Sequence, residues 1–295
     1  MRSSIVELKT IATNALYKVR FNALYTVLCI VRIINEKKLN RMGINKIYNE
    51  NCLDTMARME DDFIDLTVTS PPYDNLRTYN GYSFDFESIA KELYRVTKEG
   101  GVVVWVVNDS TKKGSESLTS FKQALYFKEI GFNVHDTMIY KADKPPLTHN
   151  RYEQQFEYMF VFSKGKPNTF NPILEPCKHA NTTRSGTTMR QDSDNLSNRS
   201  QSGNVKSHKI KGNIWEYGVG NNKSTKDKIA FKHPAIFPEK LANDHIISWS
   251  NENDLIYDPF MGSGTTAKVA KLNNRNYIGS EISEEYCKIA DERLT

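Results

Sequence analysis

The residues best suited to chemistry fall in two stretches near opposite ends of the chain. Toward the C-terminal end, Asp258-Pro259-Phe260-Met261-Gly262-Ser263-Gly264-Thr265-Thr266 follows the apolar run Leu255-Ile256-Tyr257 and leads into a helical pattern from Ala267 to Leu272. An apolar run ending on an acid, then glycines, then a helix predicts a buried parallel strand, a tight turn and a helix N-terminus. Gly262 and Gly264 let the backbone take conformations closed to other residues and approach a bound molecule. Unpaired amides of the first helical turn then face an anionic group such as an amino-acid carboxylate. In the first half of the chain, the apolar run Asp65 to Thr69 passes straight into Ser70-Pro71-Pro72-Tyr73. Two prolines cannot continue a central strand, so the chain leaves the sheet there in a stiff extended form. That stiffness holds a hydroxyl, a free backbone carbonyl and an aromatic ring at the strand end, the edge where open parallel α/β sheets bind ligands.

The glycine spacing departs from both common nucleotide fingerprints. No third glycine completes G-x-G-x-x-G, and no lysine follows Gly264 as a phosphate-binding loop requires. After the helix, Asn276 to Glu281 reads as a second short strand ending in a carboxylate, placed to accept hydrogen bonds from ribose hydroxyls. The competing reading is an ordinary glycine turn between core elements with surface acids, and a proline-rich turn at Ser70.

The rest of the chain must position these groups. Its 295 residues can bury a large core, and a net charge of +5 permits a polyanionic partner without demanding one. Cys29, Cys52, Cys177 and Cys287 have no paired spacing, which argues against a metal cluster or disulfide framework and fits a reducing cytoplasm. Residues 1–42 are basic, and their apolar run from Tyr25 to Ile34 covers about half of the ~20 residues that cross a bilayer. They read as an amphipathic extension. From there helix and strand patterns alternate: strands over 45–49, 65–69 and 102–107, helices over 86–96 and 119–130, then strands over 134–140 and 156–162 that pair as an antiparallel edge. This predicts an α/β, Rossmann-like wound, mostly parallel sheet with an antiparallel edge strand. Residues 164–230 break the rhythm with Asn, Ser, Thr, Gly, Lys and Arg, either as a polar linker or as an inserted module that orders on a polyanion. The division is an extension over 1–42, a catalytic part over 43–163, an insertion over 164–230 and a cofactor-binding part over 231–295, with a helix from His233 to about Trp249 leading into the glycine corner.

Together, Ser70-Pro71-Pro72-Tyr73 and the Asp258 corner resemble the amino-methyltransferases of DNA, in the permuted class called beta, in which the catalytic motif comes first. The likeness spans residues 44–294. It implies that Asp258, Phe260, Gly262, Gly264 and Thr265 hold the methionine part of S-adenosyl-L-methionine and that Glu281 holds its ribose. It also implies that Asn51 and Cys52 lie beside the adenine, Asn51 standing where such families often have Asp. His233, Phe237, Pro238 and Lys240 would close the methionine end, and the insertion would be the target recognition region, with Arg184, Arg190, Arg199, Lys206, Lys209 and Lys211 on double-stranded DNA. In this resemblance Ser70, Pro71, Pro72 and Tyr73 are catalytic, no metal is required, and the setting is a prokaryotic or phage-like cytoplasm. A cognate restriction endonuclease and a second copy of the chain are further candidate partners.

Physical chemistry gives the same assignment its own rationale. An exocyclic amino group is a poor nucleophile because its lone pair is delocalised into the base. A hydroxyl and a carbonyl accepting its two hydrogens draw that lone pair toward an attacking geometry, the role open to Ser70 and Pro71, while Tyr73 stacks on the base. A base inside a duplex cannot reach such a pocket and must be flipped out. Within the resemblance, serine at the first motif position points to cytosine N4, whereas adenine N6 enzymes usually carry Asp there. A protein-amide methyltransferase would place Asn at that position, and a non-catalytic DNA-binding protein would not need the cofactor corner. Pro176-Cys177 resembles the nucleophile of cytosine C5 methylation but follows no strand and sits in the polar insertion.

Overall fold

The computed structural model describes residues 42–72, 84–143, 151–182, 188–192, 195–198, 204–220 and 222–295. The chain divides into two compact units, Met1–Gly43 and Ile44–Thr295, and the second is built on an eight-stranded sheet. The extension read over 1–42 lies, apart from Met42, outside the described residues.

The strands are β1 (Lys46–Tyr48), β2 (Ile64–Thr69), β3 (Thr97–Val107), β4 (Asn133–Asp143), β5 (Phe156–Ser163), β6 (Ile214–Gly218), β7 (Leu255–Asp258) and β8 (Asn276–Ser280). Helices α1 (Cys52–Ala57), α2 (Phe86–Val96), α3 (Thr119–Glu129), α4 (Glu239–Trp249), α5 (Thr265–Leu272) and α6 (Glu284–Leu294) connect and flank them. The sheet runs β1-β8-β7-β2-β3-β5-β4-β6. Every neighbouring pair is parallel except those of β5, which is antiparallel to both β3 and β4.

Three expectations are corrected here. The antiparallel strand is not at the edge: β5 sits inside the sheet, because β4 returns beyond it and β6 then covers β4 in parallel. The stretch 164–230 is not one insertion outside the sheet, since Ile214–Gly218 supplies that edge strand, with Trp215 and Tyr217 buried against the core. Its polar surroundings hid an alternating strand. Likewise α4 starts at Glu239, because Pro234 and Pro238 keep the preceding residues extended.

Period-two side-chain alternation explains how one strand serves two layers. On β3, Val102, Val104 and Val106 join a core with Met138, Met159, Leu241 and Ile246. The opposite face carries Trp105, whose ring meets Phe127 at 5.2 Å, and Phe127 stacks on Phe162 at 4.5 Å. Helix α2 is fixed by its apolar positions Ile89, Ala90, Leu93 and Val96 and by Asp85, which caps it by accepting from the Ser88 amide. Among the described residues no helix is long and apolar enough to cross a membrane.

Candidate active site

From β7 the chain winds outward to β8, and from β2 it winds the other way to β3, so the sheet reverses direction between β7 and β2. A crevice opens at such a switch point, beyond the carboxyl ends of the strands. Parallel pairing of Ile256 with Leu66 and Tyr257 with Thr67 sets the two motifs side by side. The Thr69 hydroxyl donates to Asp258 Oδ1 at 2.6 Å, the Thr266 hydroxyl to Oδ2 at 2.7 Å, and the Phe260 amide to Oδ1 at 3.0 Å. Asp258 is buried, and burial pushes its carboxyl up to about 6 against the opposing pull of these three donors.

The corner after β7 has the geometry that glycine permits. Gly262 and Gly264 have φ of +52° and +80°. A Cβ on Gly262 would lie 3.0 Å from His233 Nε2, and one on Gly264 would lie 2.7 Å from the Ala290 Cβ of α6. Glu281, at the end of β8, accepts from the Gly262 amide through Oε2 at 2.8 Å and from the Ser283 amide through Oε1 at 2.9 Å. The Ile282 amide also draws on this carboxylate, which keeps acceptor capacity for a further donor. Burial raises its carboxyl above the ordinary range.

A cavity of about 920 Å³ opens beside these groups. Ser70, Pro71 and Pro72 form part of its wall, and Phe260, Gly262, Thr265 and Glu281 another part. Asn51, Cys52 and Phe237 also line it. Asn51 turns its Oδ1 to the Leu53 amide at 2.9 Å and so caps α1. Burial raises the Cys52 thiol to about 12, so it is a neutral apolar wall and no nucleophile. Asp258 and Gly264 do not line the cavity: the first braces it from below and the second touches α6. Tyr73, Arg184 and Arg199 lie outside the described residues, and of Arg190 only the backbone is described.

Lys209 belongs to the short antiparallel ribbon of Leu174–Pro176 with His208–Ile210, and it pairs with Glu175 at 2.9 Å. Lys206 precedes the ribbon, and Lys211 follows it with its ammonium 5.0 Å from the Trp215 ring centre. None of the three lines the cavity, nor does Cys177.

Sequence reasoning missed several wall residues. Tyr286 lines the cavity from the first turn of α6, its ring meeting that of His233 at 4.3 Å. Its signal was its place one turn into a helix capped by Ser283, just after Glu281. Phe84 meets Phe260 at 5.7 Å, and Phe260 also packs on Trp105 at 6.2 Å. Tyr140 and Glu157, opposed in register on β4 and β5, line the cavity as well. No motif marks them, because only the pairing of the two strands brings them there.

The family described as DNA methylase matches residues 64–292. An orphan methyltransferase of Bacillus amyloliquefaciens, M.BamHII, is 62% identical over 242 residues, covering 79% of this chain and 89% of that protein. Among solved structures, the PvuII DNA methyltransferase (cytosine-N4-specific) superposes with a TM-score of 0.63 at 20% identity, covering 85% of this chain and 86% of that one. A putative DNA modification methylase of Thermus thermophilus, solved as a complex with S-adenosyl-L-methionine, gives 0.56 at 19% identity over 84% of this chain and 92% of that one.

Proposed function

The chain belongs to the DNA methylase family, whose members draw their methyl group from S-adenosyl-L-methionine, and on that premise we propose that it methylates the exocyclic N4 of cytosine in double-stranded DNA. The cavity fits the cofactor. Glu281 keeps acceptor capacity for a ribose hydroxyl, and the corner at Gly262 leaves room that a side chain would take. Asn51, Cys52 and Leu53 offer a slot beside the base end, and Phe260, Thr265 and Phe237 border the methionine end. When bound, the cofactor supplies a methyl group already activated on a sulfonium.

The chain's own part is then alignment, which supplies ~7–11 kcal/mol in well-oriented systems. Ser70 Oγ and the Pro71 carbonyl accept the two amino hydrogens and turn the nitrogen lone pair toward the methyl carbon. That nitrogen would take the methyl group from the bound cofactor in one direct displacement and then release one proton to solvent along the hydrogen bonds that Ser70 and Pro71 accept. Residues of the ribbon and its flanks, Lys206, Lys209 and Lys211 together with Arg184, Arg190 and Arg199, hold the phosphates.

The observation that carries this reading is the neutral hydroxyl of Ser70 on the wall of the cavity that the glycine corner borders, in place of the carboxylate usual in adenine enzymes. The test is digestion of modified DNA to nucleosides and mass spectrometry against authentic standards. N4-methylcytosine is expected. N6-methyladenine would overturn the choice of base, and 5-methylcytosine would overturn the direct displacement. Ser70→Ala should lower turnover by about 10²-fold or more while leaving cofactor affinity near wild type, and Cys177→Ser should be silent.

A further inference from the structure

The glycine corner is gripped from behind by a half-buried charge cluster centred on one buried arginine. Arg293, on the last turn of α6, has a side chain with no exposed surface. Its Nη1 donates to the Ser263 carbonyl at 2.5 Å, to Ser263 Oγ at 3.1 Å and to Thr265 Oγ1 at 3.2 Å. Its Nε donates to Asp227 Oδ2 at 3.0 Å and its Nη2 to Glu239 Oε1 at 2.6 Å. Lys268, on α5, donates to the same two oxygens at 2.6 and 2.8 Å. Two cations and two carboxylates thus share one site and cancel in charge.

The cluster joins elements that all border the cavity. Ser263 and Thr265 line it. Asp227 and Glu239 flank the segment that covers it, His233 to Phe237, on the two sides. Helix α6 presents three residues to this region at helical spacing: Tyr286 on the cavity wall, Ala290 against Gly264, and Arg293 under Ser263. Burial alone would raise the carboxyls of Asp227 and Glu239, but bonds from Lys268, with Arg293 on the first and Thr225 on the second, hold both below the ordinary range.

Resting on the cofactor reading above, we infer that Arg293 is a positioning residue for cofactor binding: it fixes the Ser263–Thr265 backbone and ties that corner to the covering segment through Asp227 and Glu239. A buried guanidinium holds its partners firmly because water cannot replace it, and removing it leaves Ser263 without its donor and the two carboxylates with Lys268 alone. Arg293 does not touch the reacting groups, so it acts on affinity and not on the chemical step.

The test is calorimetric titration of the full chain with S-adenosylhomocysteine, below the melting temperature of each variant, together with steady-state kinetics. Arg293→Met should raise the Kd by about tenfold or more, the equivalent of 1.4 kcal/mol. It should raise KM for S-adenosyl-L-methionine in parallel, with kcat at saturation within about threefold of wild type. Arg293→Lys should recover part of the affinity. Arg95→Met is the control, since Arg95, partly exposed, pairs with Asp61 and Glu92 and donates to the Met56 and Met59 carbonyls, none of which lines the cavity, and should cost stability without changing Kd. If Arg293→Met does not fold, Asp227→Asn carries the test, with an expected Kd increase of a few fold. Variants that bind within twofold of a binding wild type, or an Arg95→Met that weakens binding equally, overturn the inference alone. A wild-type chain that binds neither molecule overturns the cofactor reading and this inference with it.

Discussion

The Thr69 hydroxyl donates to the Asp258 carboxylate at 2.6 Å, joining the residue before Ser70 to the residue that opens the glycine corner across 189 positions of sequence. Both groups are buried, so the bond has no competition from water. It fixes the spacing between the end of β2 and the start of the glycine corner.

Thr69→Val keeps the shape of the side chain and removes that donor. Asp258 retains Thr266 and the Phe260 amide. The expected cost is about 1–3 kcal/mol of stability for a charged group losing one buried partner, with a drop in kcat larger than any rise in cofactor Kd. Chemical denaturation and steady-state kinetics on the same preparation check both. Unchanged kcat would show that the bond does not set the position of Ser70.

Two buried groups have opposite effects on the pH dependence of stability. Burial raises Asp258 from 3.8 to about 6 and lowers His245 from 6.5 to about 3. Between about pH 4 and 6 the folded chain holds a proton on Asp258 that the unfolded chain has lost, so this group makes stability fall as pH rises. Over the same window the unfolded chain holds a proton on His245 that the folded chain lacks, so that group makes stability rise with pH. Each contributes a slope of about 1.4 kcal/mol per pH unit, and the two cancel. His245→Leu should therefore leave a chain whose stability declines with rising pH relative to wild type, and Asp258→Asn one whose stability increases. Asn is tolerable there because Thr266 can donate to the Val68 carbonyl, 3.2 Å away, and accept from the new amide. Urea titrations at pH 4.5 and 5.5 decide it: parallel slopes in all three proteins would refute the assignment.

Gly264→Ala should weaken cofactor binding without entering the cavity. Its Cβ would meet the Ala290 Cβ at 2.7 Å, at a φ of +80°, so α6 must move away from the corner. A destabilisation of about 1–3 kcal/mol is expected from the overpacking alone. Thermal melts with and without S-adenosylhomocysteine would show a lowered melting temperature and a smaller ligand-induced rise. A full ligand-induced rise in the variant would count against this route.

Replacing Lys206, Lys209 and Lys211 together by Glu should weaken DNA binding and flatten its salt dependence by about 2–3 in log–log slope if each neutralises one phosphate. Affinity for S-adenosylhomocysteine should not change, because none of the three lines the cavity. An unaltered salt slope would assign the ribbon to another role.

The sequence by itself carried what is local. An apolar run ending on Asp258, two glycines where only glycine takes a positive φ cheaply, and two prolines ending a strand after Ser70 are each determined by neighbours in the chain. They sufficed to locate the glycine corner, the end of β2 before Ser70 and the acid that follows β8. What only the tertiary structure decided is set by pairing between distant segments. Strand β5 lies inside the sheet because β4 and β6 add beyond it, and alternation within β5 cannot report which strands those will be. Ile214–Gly218 reads as part of a polar stretch until β4 supplies its partner. Asp258 reads as a cavity residue, yet its carboxylate points to Thr69 and Thr266, since the register of β7 against β2 determines which hydroxyls it meets. Arg293 carries no motif at all: a lone arginine near a chain end reads as solvated surface until the packing of α6 closes over it.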